Sequence, residues 1–175
     1  MMTWPSLLTL AAPETFSHEL VLASPMAGRV VALSSLNEPA LSQEMWGCGV
    51  AINTRATVCS VPFDGIVESA DLTRQRWVLK ARNGLRVMIQ IGVLPQSLYA
   101  ERLQPQLKPK QKFTQGQILT YLDPVWLASQ LGELYCVVTL LSTKQIIAAV
   151  PNRLDQHVDA MDDLLHLYLN ITKTR

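Results

Sequence analysis

Aromatic side chains make up only 6% of this chain and charged ones only 17%, and neither sign of charge is in excess, since the formal net charge is +1. With so little charge there is no global field to draw the protein to nucleic acid or to an anionic membrane. The basic residues are scattered, and none of them cluster beside stacking aromatics as a nucleic-acid groove requires. Cysteine is scarce too. Cys48, Cys59 and Cys136 are odd in number, widely spaced and set among apolar neighbours, which reads as buried free thiols in a reducing compartment and excludes a disulfide framework. There is no Cys-x-x-Cys pair, no glycine-rich phosphate loop and no Gly-x-Ser-x-Gly elbow. Long hydrophobic runs are missing as well: none approaches the roughly 18 residues that cross a bilayer. The apolar stretch within Met1–Ala12 is short and has no Lys or Arg before it, unlike a secretory signal. These absences predict a soluble, cytoplasmic protein with no transmembrane segment, no nucleic-acid partner, and neither cofactor nor metal.

What the chain does have is 175 residues, of which 49% are hydrophobic, enough for one domain with a substantial core. The apolar residues fall in short runs. Gly28–Leu33, Gly49–Ile52, Gly65–Glu68, Trp77–Lys80 and Cys136–Leu141 are β-branched or apolar stretches of strand length, most of them bounded by Gly, Pro, Asn or Asp. Ten prolines and eight glycines lie mainly between them, as turn chemistry demands. Many short strands at close spacing point to an all-β barrel or sandwich rather than to a β-α-β fold. Asp123–Leu131 has proline at a helix-start position and no internal breaker, which predicts a short helix. The tail carries two periods: Leu154, Val158, Met161, Leu165 and Tyr168 follow helical spacing, while Leu165–Asn170 alternates. The strand is the preferred expectation, because an unclosed barrel leaves an exposed edge.

Two segments look like copies of one unit. Ser24–Val31 and Val61–Glu68 share the pattern x-Pro-x-x-Gly-x-Val. Proline fixes φ before the bend, and glycine is expected to supply a backbone conformation closed to other residues. A third turn lies at Lys112–Leu119, with Gly116 at its centre. The most specific block runs from Thr73 to Gly92. Here Gln75, Gly84, Gln90 and Gly92 sit at fixed intervals around the apolar strand Val87-Met88-Ile89-Gln90-Ile91.

Over roughly Leu22 to Leu169 this pattern resembles the glucose-type enzyme IIA (EIIA) proteins of the bacterial phosphoenolpyruvate-dependent sugar phosphotransferase system (PTS). The resemblance implies a barrel-sandwich (duplicated hybrid motif) of short antiparallel strands with one or two short helices. It implies a flexible N-terminal arm over residues 1–17 and one EIIA domain over 18–175. It assigns the phosphoaccepting histidine to Gln90, its supporting histidine to Gln75, and a threonine that orients the site to Thr73. Three further departures accompany the glutamines. An aspartate four residues after the acceptor is Leu94, a rim aromatic is Leu41, and the aspartate of a Gly-Asp-Gly loop is Cys48.

A phosphocarrier needs a nitrogen with a free lone pair near neutral pH, which neutral imidazole supplies. The amide nitrogen of glutamine is delocalised into its carbonyl and is not nucleophilic, although the side chain still donates and accepts hydrogen bonds. No catalytic residue is therefore intact, and glutamines are poor zinc ligands. His18, His157 and His166 match no reactive position. The expectation is a PTS regulatory or binding module that mimics the unphosphorylated form. It would meet HPr, EIIB domains or sugar permeases through the face around Gln75 and Gln90, with Leu41, Trp46, Met88, Val93 and Leu94 supplying apolar contact. The alternative is a working phosphocarrier between HPr and a sugar-specific EIIB that uses a non-standard acceptor. A zinc peptidase on a related barrel would need His-x-x-x-Asp and His-x-His segments, and neither is present. A biotin or lipoate carrier would need a lysine at a hairpin tip flanked by methionine or aspartate, and Lys112 lacks that setting.

Overall fold

The computed structural model describes residues 7–141 and 144–170, with the side chain of Gln96 excepted. Among the described residues fourteen strands follow one another: β1 (His18–Ala23), β2 (Gly28–Ala32), β3 (Gly49–Asn53), β4 (Val58–Ser60), β5 (Gly65–Asp71), β6 (Arg76–Ala81), β7 (Arg86–Ile91), β8 (Leu103–Pro105), β9 (Lys112–Phe113), β10 (Ile118–Leu122), β11 (Tyr135–Leu140), β12 (Ile146–Pro151), β13 (His157–Val158) and β14 (Asp163–Leu169). Helix α1 (Pro39–Ser42) lies between β2 and β3, and α2 (Pro124–Leu131) lies between β10 and β11. Every strand pairing is antiparallel. The strands form one eight-stranded sheet in the order β13-β2-β3-β11-β7-β6-β5-β9, and two three-stranded sheets, β1-β14-β12 and β4-β10-β8. The expected all-β architecture of antiparallel strands with one or two short helices is what the chain adopts, the helices being α1 and α2.

Alternation decides which side of the large sheet is core. Val30, Ile52, Cys136 and Ile91 lie in register across four strands, and all are fully buried in the main apolar cluster with Trp77, Leu79, Leu165 and Leu167. The opposite face carries a second cross-strand row, Val31–Ala51–Val137–Gln90–Arg76. A smaller cluster of Leu33, Leu36, Leu41, Ala51, Met88 and Val137 covers part of that face, because the segment through α1 folds back over it. Glu38 caps α1, its carboxylate accepting from the Leu41 amide at 2.8 Å. Asp123 caps α2 in the same way, accepting from the Trp126 amide at 3.0 Å.

The tail is a strand. β14 is the centre of its sheet, between β1 and β12, so pairing on both sides outweighs the helical spacing. The repeated Pro-x-x-Gly turns are present; Gly28 has the expected positive φ, 158°, whereas Gly65 has none, and crowding adds a reason for glycine at both. A Cβ at Gly28 would stand 2.2 Å from the Asn53 carbonyl oxygen, and one at Gly65 would stand 2.2 Å from that of Lys80. Close approach of the neighbouring strand is what excludes a side chain at both. Of the arm expected over residues 1–17, residues 1–6 lie outside the described residues. Leu8 makes a parallel bridge to Ala149 on β12, and the Phe16 ring packs edge-on to Tyr168 at 4.8 Å between centroids. Among the described residues no helix is long and apolar enough to cross a membrane.

Candidate functional site

Gln90 and Gln75 are brought together by the β6–β7 hairpin. Asp71 caps the 3-10 turn Leu72–Arg74 that leads into it, accepting from the Arg74 amide at 3.3 Å and from its guanidinium at 2.8 Å. Gln75 ends that turn in the left-handed region, at φ 51°. β6 then starts at Arg76, directly opposite Gln90 on β7. Gln75 itself reaches Ile91: its backbone carbonyl accepts from the Ile91 amide at 2.9 Å.

Both glutamines are buried, and their amide groups dock on consecutive carbonyls. Gln75 Nε2 donates to the Ile91 oxygen at 2.6 Å, and Gln90 Nε2 donates to the Gly92 oxygen at 2.9 Å. The far end of Gln90 is held as well. Arg76 Nε and Nη2 donate to Gln90 Oε1 at 3.0 and 2.7 Å, and since arginine has no acceptor this fixes the orientation of the amide. Gln75 Oε1 is buried without a hydrogen-bond partner among the described residues. Gly92 leaves little room beside this pair, for a Cβ there would meet Leu131 Cδ1 at 2.7 Å.

Arg76 is the residue that sequence reasoning missed. Its guanidinium stacks over the Trp46 ring at 4.3 Å from the centroid, joining the segment after α1 to the sheet. Burial, and then the neighbouring Arg74 charge, pull its pKa below the usual arginine value. A signal for it existed: Arg76 and Gln90 are each seven residues from Asn83, so a three-residue hairpin loop centred on Asn83, with Gly84 in the left-handed region, places them face to face.

The other predicted residues are divided. Trp46 and Leu94 are exposed, and Val93 is half-buried. Leu41 and Met88 are 2% and 1% exposed and belong to the smaller core cluster, so neither presents apolar surface to a partner. They are buried because Leu33, Leu36 and Leu41, from the segment through α1, cluster with Met88, Ala51 and Val137 on that face of the sheet. Thr73 is exposed in the turn before Gln75, and its hydroxyl contacts neither glutamine. Cys48 is buried, and desolvation, with the Glu44 charge behind it, raises its thiol to about 11; it stays a neutral packing residue. Cys59 and Cys136 are free and buried too. His166 meets Glu19 at 2.6 Å on the β1–β14 pair, on a different sheet from the glutamines. No group of three or more His, Cys, Asp or Glu is arranged to hold a metal among the described residues.

The family described as phosphoenolpyruvate-dependent sugar phosphotransferase system, EIIA 1, matches residues 20–146. The chain belongs to this EIIA family. Its fold is that of glucose permease IIA from Mycoplasma capricolum, with a TM-score of 0.76 at 18% identity over 86% of this chain and 96% of that one. The raffinose carrier protein of Pediococcus pentosaceus is 28% identical over 150 residues, which are 85% of this chain and 23% of that protein. The glucose-specific EIICBA component of Staphylococcus carnosus is 27% identical over 103 residues, 59% of this chain and 15% of that one. The EIIA chain thus spans less than a quarter of the length of these curated relatives.

Proposed function

We propose that this EIIA chain does not accept a phosphoryl group and acts as a regulatory binding module in the control of sugar transport, holding the shape of the unphosphorylated form. The observation that carries the reading is the state of the two glutamines. At the positions that the resemblance assigns to the reactive histidines, both side-chain nitrogens are amides, and both donate to main-chain carbonyls. An amide nitrogen has no basic lone pair to attack phosphorus, and these two point their N–H groups into the protein. The surrounding fold is kept, so what a partner would meet is a face without a transferable group. Its apolar contributors are Trp46, Leu94 and the half-buried Val93.

The candidate partners are HPr, EIIB domains and sugar permeases. The relatives' names support the link to sugar transport, one a raffinose carrier protein and one a glucose-specific EIICBA component. The deciding experiment incubates the full chain with labelled phosphoenolpyruvate, enzyme I and HPr. The expected result is no label on the chain. Incorporation that is lost on brief acid treatment would overturn the reading in favour of a phosphocarrier with a non-standard acceptor. The paired variant Gln75→His/Gln90→His, assayed beside it, reports whether the frame can still carry phosphate once imidazoles are supplied.

A further inference from the structure

We propose that Arg76 is the recognition cation of this face and that the docking partner brings an acidic side chain flanked by apolar ones. The inference rests on the reading that proteins dock around Gln75 and Gln90, and it adds the chemistry they must carry.

Arg76 has a defined position and an unspent charge. Its Nε and Nη2 hold Gln90 Oε1 and its plane lies on Trp46, so the side chain is ordered before any partner arrives. No carboxylate reaches it: none of the ion pairs among the described residues includes Arg76. The two acids whose charge it feels are Asp71 and Glu38, and both are engaged elsewhere, Asp71 on Arg74 and Glu38 on the Leu41 amide. The Nη1/Nη2 edge of the fork is left for a bidentate carboxylate.

Beside the charged Arg74, Asp71 and Glu38, the elements that carry and flank the cation also expose apolar side chains. Met45 is 73% exposed, Trp46 43%, Leu72 42% and Leu94 52%. Met45 adjoins the stacked Trp46, Leu72 opens the turn that leads to Arg76, and Leu94 starts the 3-10 turn Pro95–Leu98 that packs on it. A free phosphate would pair with the guanidinium and leave this surface wet. A glutamate or aspartate set among leucine or aromatic side chains satisfies both parts, and a basic partner would be repelled.

The test pans a phage-displayed random peptide library on the immobilised full chain and on the Arg76→Gln and Arg76→Lys variants, each first shown by circular dichroism to be folded. Selection on the unaltered chain is expected to enrich Asp or Glu beside Leu, Ile, Phe or Trp. A selected peptide, resynthesised with its Glu changed to Gln, should bind the unaltered chain about tenfold more weakly. That preference should vanish in Arg76→Gln and be intermediate in Arg76→Lys, which keeps the charge and loses the fork. On the unaltered chain the Arg76 Nε–H resonance should shift when the acidic peptide is added. The proposal is overturned by a selection without acidic enrichment, by a preference that survives Arg76→Gln, by an unmoved Arg76 resonance, or by millimolar inorganic phosphate displacing the peptide. The outcome is separable from the phosphorylation assay. Label uptake defeats the non-phosphorylatable reading whatever the peptides do, and loss of the acidic preference without label uptake defeats this proposal alone.

Discussion

Replacing Arg76 by methionine removes both donors to Gln90 Oε1, at 2.7 and 3.0 Å, and leaves a carbonyl oxygen on a residue only 3% exposed. An orphaned buried acceptor costs about 1–3 kcal/mol, and the lost stacking on Trp46 adds about 0.5–1 kcal/mol. Relief of the desolvated guanidinium opposes this, so the expected net loss is about 2 kcal/mol. Gln90→Met is milder, about 1 kcal/mol, because the half-buried Arg76 can turn to water while only the Gly92 carbonyl loses its donor. Together the two methionines leave neither an orphaned acceptor nor an unmet donor between them, and the double variant should lose about 1.5 kcal/mol rather than the sum. The coupling is therefore about 1.5 kcal/mol. Urea unfolding followed by far-ultraviolet circular dichroism measures all four corners of the cycle. For a chain of this size the single Arg76→Met loss corresponds to a Tm about 4–8 °C lower. Additivity to within about 0.5 kcal/mol would refute the clamp, since independent sites add to that precision.

The remaining expectations are briefer. Gly65→Ala should cost about 1–3 kcal/mol or more, because its Cβ would stand 2.2 Å from the Lys80 oxygen and the strand must move; unchanged stability would show that β5 and β6 part freely. Asp71→Ala should cost about 1 kcal/mol through the lost cap. The Arg74 hydrogen bond holds the Asp71 carboxyl below its ordinary 3.8, so its contribution is present above that value and is lost as pH falls through the lower folded value. Urea midpoints for the unaltered chain and the variant should therefore converge in acid, and a gap constant with pH would contradict this. All three thiols are buried, with Cys136 raised well above its ordinary value by its hydrogen bond to Cys59, then by burial. Iodoacetamide at mildly alkaline pH should leave them unlabelled in the native chain and modify all three after unfolding, whereas prompt native labelling would disprove this packing.

The strands β2, β3, β5, β6, β7, β11 and β14 were legible because their signals are local. The Pro-x-x-Gly turns at Gly28 and Gly65 carry their own punctuation, and the alternation of β7 already separates Val87, Ile89 and Ile91 from Met88 and Gln90. What alternation leaves open is whether anything lies over the second face. The segment through α1 does so from some fifty residues upstream of Met88, and no short-range pattern announces such a return. Leu41 and Met88 were for that reason expected on a partner surface and are core instead. The glycines of the repeats were readable as turns, and Gly28 has a positive φ, but the neighbouring strand's carbonyl that crowds both positions is again a non-local fact. At the site, the spacing found both glutamines. It did not show that their amides rest on the adjacent carbonyls of Ile91 and Gly92, nor that Arg76 closes the far side.

Gln90 is tied at both ends by its own chain, Oε1 to Arg76 and Nε2 to Gly92. If the chain takes no phosphoryl group, as proposed above, a signalling position occupied in this way leaves it no covalent dial. On the reading proposed above, its influence on a transporter would not follow the cell's supply of high-energy phosphate from second to second. It would be set by copy number and by competition for the same docking site, which makes synthesis and turnover of the chain the place where control is exerted.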